Sequence, residues 1–420
     1  MGTMSTAVTS GIVFERARLI PVADWLAVAV AVSLPWSTSA TGILIVLWLI
    51  AVLPTLDLAS VRRVLAMPAC YLPAALFGLG VLGMAWADAS MGDRFGAIKA
   101  FARLLLFPVL FVQFERSERG PWVIAGFLAS CTALLTLSWT LNTWPSLTWR
   151  GGPLPPGVPV KDYIIQSGEF LLCAFALIHL AISAWQERRL GLTVALAMLA
   201  TAFLANIIFV ITARSTLVVF AALLVVLGLQ RFRWKGILAA LLVGVILAGA
   251  AWASSSYLRG RVLAVLDEVQ QYRTQNAETS SGIRLEFWKK SLQFVAAAPV
   301  FGHGTGSIKG LFEKAATGLE GPSSLVTDQP HNQILIVAIQ LGLVGAGLLL
   351  AMWIAHLWLF RGGGLVAWLG LGLVVQSIVS CLFNSYLFEF TMGWLYVLGV
   401  GVLGGMLLGR DPKRQAPSVP

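Results

Sequence analysis

Apolar residues gather in twelve runs, at 21–37, 41–56, 68–86, 98–114, 121–142, 164–185, 190–211, 215–229, 236–256, 331–359, 364–382 and 391–409, separated by short polar stretches. A helix needs roughly 20 such residues to cross a hydrocarbon core. The pattern predicts an all-α integral membrane protein of about twelve transmembrane helices, forming a single polytopic domain over 1–420. Two connections are longer: 143–163, rich in Pro and Gly, and 257–330, which is too polar to span. The first run passes into Pro35 and Trp36 without a small-residue cleavage site. It is therefore expected to act as the insertion signal and to be retained.

Composition supports the same class, with 58% of residues hydrophobic and 11% charged; a soluble domain needs far more polar residues to cover its surface. The four cysteines, Cys70, Cys131, Cys173 and Cys381, lie inside apolar runs without CxxC or histidine spacing, so they read as small core hydrophobes.

The net charge of +10 is explained largely by topology. With the N-terminus inside, cytoplasmic segments carry Arg16 and Arg18, Arg62 and Arg63, Arg116 and Arg119, Arg188 and Arg189, Arg231, Arg233 and Lys235, Arg361, and Arg410, Lys413 and Arg414. The short outer connections hold only Arg94, Arg150, Lys161 and Arg214. The positive-inside rule thus places both termini in the cytoplasm and the 257–330 loop, between spans 9 and 10, outside. That loop has eight Lys/Arg against seven Asp/Glu. It is no polybasic arm, and nucleic acid is not an expected partner.

Three outer positions draw attention. Arg214, in Thr212-Ala213-Arg214-Ser215, sits where the connection is too short to be a free loop. A charge at membrane depth costs roughly 2.5 to 3.5 kcal/mol, so it needs a partner or a task; snorkelling to headgroups is the plainer reading. Arg284 lies on a helix from Ser281 to Leu292 and falls in the middle of the apolar arc formed by Ile283, Leu285, Phe287, Trp288, Leu292, Phe294 and Val295. It is expected to point into the protein or at the membrane surface, with a structural ion pair as the alternative. His331 follows Asp328, Gln329 and Pro330, where Asp328 suits a cap and Pro330 a first turn; a helix N-terminus would keep its imidazole neutral.

Weaker signals surround these. His303 in Gly302-His303-Gly304-Thr305-Gly306 suggests a tight turn or an anion-holding nest of N–H groups. Lys99 and Arg103 share a face at i, i+4, as snorkelling cations or as further phosphate contacts. His179 and His356 read as packing residues. The charge-derived topology places Arg214, Arg284 and His331 on one side of the membrane. Two fixed cations and one base suit a lipid diphosphate: arginine holds and neutralises a departing diphosphate while histidine takes a proton from an attacking hydroxyl. The outer segments lack a carboxylate cluster of the kind that holds magnesium, which favours metal-independent displacement without a cofactor.

The stretches Thr212–Thr216 (TARST), Gly282–Leu292 (GIRLEFWKKSL), Pro299–Ser307 (PVFGHGTGS) and His331–Gly345 (HNQILIVAIQLGLVG) resemble the O-antigen ligase and polymerase superfamily over roughly the C-terminal half. The resemblance implies a bacterial inner-membrane glycosyltransferase with a periplasmic active site. It would move a glycan from undecaprenyl diphosphate to an acceptor with inversion. Length, span count and the large loop resemble the ligases, whose acceptor is the lipid A-core oligosaccharide. By resemblance Arg214 and Arg284 would bind the diphosphate and His331 would activate the acceptor hydroxyl. Asp162, Gln166 and Asn332 would line the site. An O-antigen polymerase is the alternative within the superfamily, and a protein O-oligosaccharyltransferase is disfavoured by chain length. A twelve-span flippase of lipid-linked glycan would instead predict polar midplane residues and matched halves, and a structural scaffold would leave Arg284 unexplained.

Overall fold

The computed structural model describes residues 3–148, 155–232 and 234–410. Arg150, Arg233, Lys413 and Arg414 of the charge pattern lie outside the described residues. Within them the chain is helical with no strand: α1 (Thr3–Ser33), α2 (Thr38–Val52), α3 (Leu58–Leu65), α4 (Pro68–Gly83), α5 (Met91–Ala102), α6 (Phe107–Arg116), α7 (Gly120–Thr143), α8 (Tyr163–Gln186) and α9 (Leu190–Phe209). There follow α10 (Arg214–Phe232), α11 (Lys235–Ser254), α12 (Ser256–Gln275), α13 (Ser280–Ala297), α14 (Ile308–Ala316), α15 (Gln333–Leu359), α16 (Leu365–Cys381) and α17 (Phe390–Gly409).

Nine helices among the described residues are long and apolar enough to cross a membrane, or ten if α3 and α4, bent by 87°, count as one span. Nine or ten of the expected twelve spans are thus supported by this measure. The segment expected at 68–86 forms the 16-residue α4, set at a sharp angle to α3, and that at 364–382 forms the 17-residue α16. At 16 and 17 residues they sit at the short end of the lengths that cross a hydrocarbon core. The segment expected at 21–37 lies mainly within α1, whose Ala23, Ala27, Val30, Ala31 and Leu34 are buried in the main core. That core also takes in α6, α8, α16 and α17.

The 257–330 segment folds into α12, α13 and α14 at one end of the bundle, referred to below as the loop face. Thr279 caps α13 by accepting from the Gly282 amide, and Ser255 caps α12 through Leu258. A small second core of Phe287, Ile308, Phe312, Ile336 and Ile339 fixes α13 and α14 against α15. Phe312 meets Phe287 and Phe294 edge-on, at 5.4 and 5.2 Å between centroids.

The glycine-rich turn seats this loop. At Gly342 the backbone of α15 breaks, with φ 64° and ψ −164°. The interrupted ladder is completed by the 299–304 segment: the Leu343 amide donates to Pro299, and the His303 and Gly304 amides donate to Ile339 and Gln340 at 2.8 Å. This geometry belongs to the region reserved for glycine, and a Cβ at Gly342 would lie 2.1 Å from the Val300 carbonyl oxygen. Gly342→Ala is therefore expected to destabilise the protein by about 3 kcal/mol or more. Thermal unfolding in detergent reads this, with Gly347→Ala, which meets open space, as the near-neutral control.

Candidate active site

The start of α15 builds the first part of the site. The sequence suggested Asp328 as cap and Pro330 in the first turn; instead Asn332 is the N-cap and α15 begins at Gln333. Asn332 Oδ1 accepts from the Ile334 and Leu335 amides at 3.0 and 3.1 Å, satisfying two of the donors a helix start leaves open. Its Nδ2 donates to Leu382 O at 3.1 Å, so the cap also ties α15 to the 382–389 turn. His331 precedes the cap in a left-handed conformation, φ 57°. Its ring lies near-parallel to Phe287, 6.4 Å between centroids, and its Nδ1 meets Asn384 Oδ1 at 2.9 Å.

That contact fixes the tautomer. Asn384 Oδ1 also accepts from the Ser385 amide at 3.1 Å, so the atom facing His331 is an acceptor. Nδ1 must then carry the proton, which leaves Nε2 with a free lone pair and no partner among the described residues. Burial pulls the His331 pKa below its ordinary value; the Asn384 bond opposes this, and the nearby Arg284 charge adds to the lowering. A neutral, oriented imidazole with a bare nitrogen can accept a proton.

Arg284 stands in the second turn of α13, half-buried, as its place on the apolar arc implied. The alternative of a structural ion pair is not realised. Glu286 is occupied by Tyr272 Oη at 2.7 Å and Ser323 Oγ at 3.0 Å, with Lys289 at 4.0 Å. Among the described residues Arg284 has neither a hydrogen-bond acceptor nor an ion-pair partner, yet it is near enough for its charge to act on His331. A half-buried guanidinium with its donors unsatisfied is costly, so such a position suits an anionic ligand.

Arg214 opens α10 and is fully engaged. Its Nη1 and Nη2 donate to both oxygens of Glu268, at 2.9 and 2.6 Å, Nη1 also reaches Ser281 Oγ at 3.1 Å, and Nε donates to Arg261 O at 2.9 Å. The guanidinium, with help from Ser281 and against the cost of burial, holds the Glu268 pKa down to about 2. Arg261 lies beside this pair, donating to Tyr163 Oη at 3.0 Å.

The remaining candidates divide by role. Arg103 is buried: α5 ends at Ala102, a 3-10 turn follows, and the i, i+4 face shared with exposed Lys99 is lost. Its guanidinium donates to the carbonyls of Phe388, Glu389 and Phe390, holding the turn that carries Asn384. His303 Nε2 lies 2.8 Å from Phe294 O, and its ring lines a cavity of about 290 Å³ with Trp86, Asp88 and Lys314. The expected anion nest is not free, because the amides of residues 302–306 are all spent on Ala298, α15 and Gly83. Asp162 caps α8 through the Ile164 and Ile165 amides, and Gln166 is buried, donating to Ser138 and Gly157. The structure thus gathers His331, Arg284 and Asn332, sets Arg214 at the other end of the first turns of α13, and gives Arg103, His303, Asp162 and Gln166 bonds within the protein.

A family model described as O-antigen ligase matches residues 199–350. Over this stretch, about a third of its length, the chain is similar to the O-antigen ligase and polymerase superfamily. No curated protein matches it. The matched segment contains Arg214, the α12–α14 loop, Arg284, His331 and the Gly342 break, whereas Asn384 lies beyond it. The superfamily implies lipid-linked glycans as substrates and glycosyltransferase-like chemistry in a multi-pass membrane protein. Sequence reasoning missed Asn384, Glu268 and Ser281. Asn384 left a faint signal, an amide at the end of an apolar run, whereas the Glu268 pairing depends on how α12 folds back.

Proposed function

We propose that the chain is an O-antigen ligase of the bacterial inner membrane, with the loop face in the periplasm. It transfers O-antigen polysaccharide from undecaprenyl diphosphate to a sugar hydroxyl of lipid A-core. The observation that carries this reading is the free Arg284 beside His331, whose tautomer leaves Nε2 bare. The acceptor hydroxyl gives its proton to Nε2 as its oxygen bonds to the anomeric carbon. The bond from that carbon to the diphosphate oxygen breaks, the leaving diphosphate takes the electron pair, and the anomeric centre inverts. Arg284 neutralises the charge that grows on the departing group. A periplasmic site has no nucleotide sugar within reach, so the energy comes with the donor, and the displacement asks for no metal.

The test is reconstitution with a glycan-bearing undecaprenyl diphosphate and lipid A-core, in EDTA and without nucleotide. Glycan appearing on lipid A-core supports the ligase; longer glycan still on the lipid diphosphate means a polymerase; no transfer of either kind favours a flippase. In the same assay Asn384→Ala is expected to slow transfer about tenfold to a hundredfold, because His331 loses the bond that sets its tautomer and angle. Unchanged turnover in that variant would remove Asn384 from the account.

A further inference from the structure

Four donors converge on the Glu268 carboxylate. Arg214 supplies Nη1 and Nη2, and Ser281 supplies its backbone amide at 3.0 Å and its hydroxyl at 2.7 Å. This is the arrangement that suits a phosphate: a planar guanidinium fork meeting two oxygens, completed by a backbone N–H and a hydroxyl. The pair is not sealed, since the Arg214 and Glu268 side chains keep 24% and 21% of their surface exposed. The Glu268 backbone is held separately, its carbonyl accepting from Thr279 Oγ1 at 2.8 Å. The carboxylate can therefore swing away while α12 stays in place.

Ser281 and Arg284 are three residues apart, hence neighbours on one face of α13. Along that face the four-donor cradle is followed by an arginine with no counter-ion, and Arg284 in turn acts on His331. One half of the face holds an internal anion and the other half lacks one.

We propose that Glu268 occupies the place of one phosphate of the donor diphosphate, and that the incoming diphosphate displaces it, taking over Arg214 and the Ser281 amide and hydroxyl while its other phosphate meets Arg284. The inference rests on the lipid-diphosphate reading above and extends it. Ser281 becomes a substrate-binding residue, and Glu268 the ligand that keeps the cradle formed and satisfied between turnovers. No covalent step is involved; one anion exchanges for another on the same donors.

Titration calorimetry of the purified full-length chain with inorganic diphosphate tests this. Glu268→Gln removes the competing charge and is expected to tighten diphosphate binding roughly tenfold or more, while Ser281→Ala weakens it severalfold. A second measurement uses the unaltered chain, in case Glu268→Gln does not fold. Saturating diphosphate should raise carbodiimide-driven amine labelling of Glu268 severalfold, read by peptide mass spectrometry. If diphosphate binds and Arg284→Ala abolishes binding, but Glu268→Gln binds no tighter and Glu268 labelling does not change, Glu268 is a structural ion-pair partner and the inference fails alone. If neither the wild type nor Glu268→Gln binds diphosphate, both the inference and the donor reading fall.

Discussion

Arg284→Ala is expected to lower the rate of glycan transfer by about a hundredfold to a thousandfold, the scale seen when one charge-stabilising group is removed from a developing anion. The fold should survive, because Arg284 makes no hydrogen bond or ion pair among the described residues whose loss would cost stability. Losing a half-buried, unsatisfied charge should leave the unfolding temperature unchanged or raised. Loss of activity with retained stability would separate a substrate-directed arginine from a structural one. Arg284→Lys should rescue only in part, since an ammonium lacks the planar fork that meets two phosphate oxygens. Equal turnover in wild type and Arg284→Ala would show that the free guanidinium serves something else.

His331→Ala carries the second large effect, a loss of about a hundredfold to ten-thousandfold in turnover, as expected for removal of a positioned general base. The pH profile gives an independent reading. The active form is the neutral imidazole, and burial and Arg284 together lower the His331 pKa below its ordinary value. Transfer should therefore be weak in acid, rise as pH passes through that lowered pKa, and already be level near neutrality. In Arg284→Ala the positive charge beside the ring is gone, so the residual activity should rise at a higher pH than in the wild type. An unchanged midpoint would mean that the two residues are not coupled.

Much of the fold was legible because apolar runs of spanning length have few alternatives in a chain with so few charges. The count was less secure at α4 and α16. A hydropathy run does not show that α3 and α4 meet at 87°, nor that α16 stops at 17 residues. The helix bearing Arg284 was readable from periodicity, since one arginine among apolar positions contradicts a solvated face. Its freedom was not readable, because that depends on Tyr272 and Ser323 taking up Glu286. The glycine turn was recognised as tight, but its amides serve the break at Gly342, a use that becomes visible only when segments some forty residues apart are seen side by side. Arg214 and Asn384 teach the same lesson. A sequence shows which groups are able to act, whereas only three-dimensional pairing shows which of them are already spoken for.

The measurement closest to the central claim is a single-turnover transfer assay in lipid nanodiscs, with glycan-bearing undecaprenyl diphosphate, lipid A-core and EDTA, comparing wild type with His331→Ala. The account predicts glycan joined to lipid A-core by the wild type and none, within the same interval, by the folded variant. Transfer by His331→Ala at the wild-type rate would contradict it.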